Sequence, residues 1–97
     1  MTLATVVEKL RKRITEFRWH HRFETKMHPA VDFMEIALNL SELGILRQRP
    51  VEPQEEQWFH EGWPVIHKLE DTEWEDMIDL YRTLTFKLEE RNWLRKQ

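Results

Sequence analysis

The chain has 97 residues, a net charge of −3, 40% hydrophobic and 34% charged residues, with two glycines, four prolines and no cysteine. That length makes one domain spanning residues 1–97, and the apolar and aromatic content is that of a globular chain rather than a disordered one. Disulfide scaffolds, thiolate zinc sites and cysteine nucleophiles are excluded, and no uncharged apolar run approaches the roughly 20 residues that cross a bilayer.

Charge is unevenly distributed. Residues 1–28 carry +4, residues 29–76 carry −9 and residues 77–97 carry +2. The apolar start is followed by Glu8, Lys9 and Arg11 to Arg13, the reverse of a secretory leader, so the sequence predicts a cytoplasmic protein with no membrane association.

Leu3, Val7, Leu10, Ile14, Phe17 and His21 recur at helical spacing, which predicts a first helix from residue 3 to about 26, closed by His28-Pro29. Pro29 opens a second helix, whose apolar residues from Val31 to Leu43 cover more than half the circumference, as in a helix wrapped by neighbours. Gly44 is the expected left-handed stop. Pro53 starts a third helix, with Glu55 and Glu56 at the positive end of its dipole. Gly62-Trp63-Pro64 predicts an interruption of that helix. Thr72 and Glu75 form a capping box ahead of a last helix striped by Trp74, Met77, Ile78, Tyr81, Leu84 and Leu88. No segment alternates as a strand does, so the predicted fold is all-α, a four-helix bundle or irregular helical array with the third helix interrupted near Gly62-Pro64.

Four groups of residues are candidates for function. Glu73 and Asp76 form an E-x-x-D pair on one helical face and Glu52 with Glu55 an E-x-x-E pair upstream, a combination that can hold Mg²⁺ through four carboxylates. With the acidic pair and apolar run from Glu73 to Leu84, this arrangement resembles the MazG-like nucleotide pyrophosphohydrolases. The resemblance implies an all-α enzyme whose Mg²⁺, held by Glu52, Glu55, Glu73 and Asp76, activates water. The residues taken by themselves read as acids that favour helix starts.

Histidines are the second group. His21 and His28, like His60 and His67, are seven apart, and Glu24 with His28 or Glu56 with His60 is one helical turn apart, a spacing that can ligate zinc. His21, on the core stripe, reads as an interior or boundary histidine. The third group, Arg11, Arg18, Arg22 and Lys26, forms a basic stripe beside Trp19. It suits phosphates or bases, or equally a solvated face or a counterpart to the acidic middle of the chain.

Five tryptophans, Trp19, Trp58, Trp63, Trp74 and Trp93, make the fourth group and exceed what so small a core easily hides. Trp58 and Trp93, with Glu70, Asp71, Glu73 and Glu75, are therefore expected to face a protein partner, the aromatics as anchors and the acids steering a basic surface. The expected function is that of a small non-catalytic helical subunit, adaptor or inhibitor without a cofactor. Its partner is another protein or a second copy in a homodimer, with nucleic acid the less favoured partner. The alternative is the Mg²⁺-dependent pyrophosphohydrolase. A phosphate loop and a serine elbow are both missing, and the single serine, Ser41, falls inside the second helix.

Overall fold

The computed structural model describes residues 1–67 and 75–95, the side chain of His67 excepted. Among the described residues four helices follow one another: α1 (Leu3–His20), α2 (Pro29–Arg47), α3 (Pro53–His67) and α4 (Glu75–Glu90). No strand occurs among the described residues, and no helix there is long and apolar enough to cross a membrane. Glu70, Asp71, Thr72, Glu73 and Trp74 lie outside the described residues.

The helices run alternately up and down. Arg13, in the second half of α1, meets Asp76 at the start of α4. Gly62, late in α3, lies against Phe33, early in α2. Trp63 stacks on Tyr81 across α3 and α4, with ring centroids 5.8 Å apart. The core is filled by the predicted stripes: Leu3, Val7, Leu10, Ile14 and Phe17 from α1, Val31, Met34 and Leu38 from α2, and Met77, Tyr81, Leu84 and Leu88 from α4. α1 packs against α2 and α4, and α2 against α1 and α3, which is how a short chain buries amphipathic helices without a sheet.

Three local features depart from the sequence reading. First, α1 stops at His20, six residues short of the expected end. The Arg22 and Glu24 amides donate to carbonyls three residues back, at Trp19 and His21. The early turn lets His28 fold back edge-on to Phe17, with centroids 5.1 Å apart, so that α2 can start beside α1. Second, α2 runs past Gly44 to Arg47, and Gln48, at φ 54° and ψ 44°, takes the left-handed position. Gly44 serves a different need, because a Cβ there would meet the Trp93 ring at 3.3 Å.

Third, α3 is one helix through Gly62-Trp63-Pro64, not an interrupted pair. Proline removes one rung of the backbone ladder, a cost that tertiary packing overrides here. Trp63 and Ile66 hold the segment on the core, and Gly62 brings it close to α2. At the far end Asn92, at φ 60°, reverses the chain after α4, and the Trp93 amide donates to the Leu88 carbonyl at 2.9 Å. Trp93 is thereby folded back, and its carbonyl accepts from the Val51 amide at 3.1 Å. The single serine, Ser41, is buried and donates its hydroxyl to the Ala37 carbonyl within α2.

Candidate functional site

The basic stripe is largely occupied inside the molecule. Arg11 donates through Nε to Glu42 at 2.7 Å and through a terminal nitrogen to Asn39 at 3.1 Å. Arg18 reaches across to α2 in the same way, donating to Glu35 and to Asp32, the latter at 2.8 Å. Hydrogen bonding to Glu35 is the main cause that raises the Arg18 pKa above its ordinary value. With α1 ended at His20, Arg22 and Lys26 leave the helical phase of Arg11 and Arg18. The stripe is thus to a large extent the ionic seam between α1 and α2, the counterpart reading of the charge pattern.

Arg22 has another setting. Its guanidinium lies 3.9 Å from the Trp19 ring centroid and 4.6 Å from that of Phe23, and it donates to the Trp19 carbonyl at 2.7 Å. Trp19, Phe23 and Met27 are 63%, 87% and 77% exposed. Three large apolar side chains thus stand in solvent on the end of α1 and the turn after it, and Trp19 and Phe23 share one cation over their faces to form an aromatic corner. Trp19 was legible as an aromatic beside basic residues and as one of five tryptophans in excess of the core, but not as the expected partner anchor. Phe23 and Met27 gave no signal, because the sequence placed both within or next to a longer helix.

Next to this corner runs an open groove of about 870 Å³ between α1 and α2. Val7, Thr15 and Ile45 help line it, with Leu46 at one end and the Arg11–Glu42 ion pair across it. Thr15 precedes Trp19 by one helical turn, so the aromatic corner continues the α1 wall of the groove. A smaller cleft of about 260 Å³ lies between α3 and α4, lined by residues that include Phe59, His60, Trp63, Glu89 and Arg95.

The residues expected to face a partner divide. Trp58 is 46% exposed on α3, and Glu75 is exposed at the start of α4. Trp93 is half-buried, packed on Gly44 with Arg91 over its ring, which commits much of its surface to the chain itself. Glu70, Asp71 and Glu73 lie outside the described residues.

Of the four carboxylates expected to hold Mg²⁺, Glu73 is not described and the other three are not brought together. Glu52 pairs with Arg49 at 3.3 Å, and its amide donates to the Glu55 carboxylate at 3.1 Å, which makes the pair a helix-start motif. Val51, beside them, bonds Trp93 beyond the carboxyl end of α4. Asp76 sits at the opposite end of α4, paired with Arg13 at 2.6 Å. At 1.5 Å per residue the length of α4 separates the two locations by about 20 Å.

Among the histidines, His21 and His28 do converge, on Glu24 and at the same corner as Trp19. Hydrogen bonding to His21, then to His28, holds the Glu24 carboxyl below its usual pKa. His60 is exposed on α3 and lines the smaller cleft. Comparison with protein-family profiles, with curated proteins and with solved structures finds no match for this chain.

Proposed function

We propose that this chain is a small cytoplasmic helical module that acts by contact with another protein rather than by catalysis. The observation that carries the reading is the exposed corner of Trp19, Phe23 and Met27 with Arg22 stacked on two of them. Large apolar side chains grouped in solvent mark interaction surfaces, and tryptophan and arginine are the residue types that most often anchor them. The adjoining α1–α2 groove suits an amphipathic helix of the partner, laid along Val7, Thr15 and Ile45 with the aromatic corner at its end. A different protein is favoured over a second copy, because Arg11 and Arg18 already pair with acids of α2. Trp58, exposed on α3, offers a second and smaller point of contact.

The test is affinity capture of the tagged full chain from its native lysate through a high-salt, nuclease-treated wash, run beside the double variant W19A/F23A. The expected result is one protein retained stoichiometrically by the native chain and lost from the variant, with the variant's circular dichroism unchanged. Retention of nothing, or equal retention by both, refutes the reading.

A further inference from the structure

The turn between α1 and α2 gathers His21, Glu24 and His28 so that one ligand atom from each lies within 4.8 Å of the other two. His21 Nδ1 is 2.6 Å from one Glu24 oxygen, and His28 Nε2 is 3.2 Å from the other. We propose that this group is a binding site for a divalent transition metal, zinc being the ion that two imidazoles and a carboxylate fit best. Tetrahedral ligands at zinc bond lengths stand about 3.3 Å apart, so the three atoms need to move by no more than about 1.5 Å to enclose the ion.

The positions of the three residues are set by backbone contacts rather than by the side chains alone. The His21 amide bonds the Phe17 carbonyl and the Glu24 amide bonds the His21 carbonyl, each at 3.1 Å. The His28 carbonyl accepts from Val31 and Asp32 at the start of α2. Beneath the group, the buried Phe17 ring stacks on His21 at 4.2 Å and meets His28 edge-on. An apolar floor on one side and ordered imidazoles on the other are what a nitrogen-rich metal site requires. In the metal-free protein, Glu24 between two imidazoles provides the charge-assisted hydrogen bonds that the ion would replace.

Among the described residues three protein ligands converge, and Glu24 is partly exposed, so water can reach the group to complete the coordination. Imidazole ligands select against hard cations, which prefer all-oxygen sites, so Mg²⁺ and Ca²⁺ are not ions for this site. The site is independent of the Mg²⁺ set expected from Glu52, Glu55, Glu73 and Asp76. It shares a corner of the molecule with the proposed partner surface, but its test needs no partner.

The experiment is calorimetric titration of the full chain with Zn²⁺, repeated with Mg²⁺, and of the variants H21A, E24Q, H28A and H60A. Circular dichroism serves as the fold control, and Co²⁺ absorption reports the ligand field in the native chain. The expected result is one Zn²⁺ per chain, no Mg²⁺ binding, affinity weakened at least about tenfold in H21A, E24Q and H28A, and unchanged affinity in H60A. The native Co²⁺ complex should show the intense absorption of a four-coordinate nitrogen and oxygen site, which does not depend on any variant folding. Absence of saturable Zn²⁺ binding, affinity unchanged in H21A and in H28A, or a six-coordinate Co²⁺ spectrum like that of the free ion overturns the assignment.

Discussion

Replacing Gly62 with alanine tests how closely α3 is docked on α2. Alanine is the better helix former by about 1 kcal/mol, so at an unconstrained helical position the change stabilises. Here the added Cβ would lie 2.9 Å from Cβ, Cγ and Cδ1 of Phe33, against about 3.5–4.0 Å for a relaxed carbon contact. The Phe33 Cβ is fixed to the α2 backbone, so turning the ring does not clear the space and the helices must separate. Overpacking of this kind costs about 1–3 kcal/mol. Set against the propensity gain, Gly62→Ala should lose about 1 kcal/mol, a fall in Tm of about 5 °C for a domain of this size. Thermal and urea unfolding of Gly62→Ala, Phe33→Ala and the double variant give the coupling. Phe33→Ala removes two of the three close atoms, so the penalty for Gly62→Ala should shrink by at least about 0.5 kcal/mol in its presence. If Gly62→Ala is stabilising in the native background and uncoupled from Phe33, the packing argument is wrong.

Other consequences follow from single side chains. The Tyr81 hydroxyl is buried and has no hydrogen-bond partner among the described residues, so Tyr81→Phe should leave stability unchanged or raise it by about 1 kcal/mol in urea unfolding. Burial also raises the Tyr81 pKa. The unfolded chain therefore releases that proton first, and stability that is complete below about pH 10 falls as pH rises above it. Unfolding midpoints measured on either side of pH 10 should show a flatter decline in Tyr81→Phe, and an identical slope in both proteins would contradict the assignment. Arg18→Ala removes the ion pairs to Asp32 and Glu35, both partly exposed, and should cost about 0.5 kcal/mol at low salt and less at high salt.

The four helices were legible because their apolar stripes and the starting prolines Pro29 and Pro53 are local signals that the tertiary structure reinforces. Their ends were less so. Gly44 has the chemistry of a helix stop, but it lies inside α2, where a Cβ would crowd both the Arg49 carbonyl at 3.1 Å and the ring of Trp93, forty-nine residues away, and the second approach is one that no local pattern reveals. Pro64 argues for a break, and the burial of Ile66 and the stacking of Trp63 on Tyr81 outweigh it. Spacing marked His21, Glu24 and His28 as possible ligands, but on a continuous helix His21 and His28 would sit two turns apart. The turn after His20 is what closes the group. The same turn exposes Phe23 and Met27, so the aromatic corner and the closure of the histidine group both depend on a turn that the sequence reading placed inside a helix. Charge was read more accurately: the basic first segment and acidic middle proved to be facing sides of the α1–α2 seam.

The central claim is that the aromatic corner anchors a partner, and its most direct measurement is the affinity of the captured partner for the native chain and for W19A/F23A. Both side chains are mostly exposed, so the variant's unfolding free energy should stay within about 0.5 kcal/mol of native. Binding should weaken by about 2 kcal/mol, about 30-fold, as expected for tryptophan and phenylalanine anchors of an interface. An affinity unchanged in a folded variant would contradict the account and move the interface away from this corner.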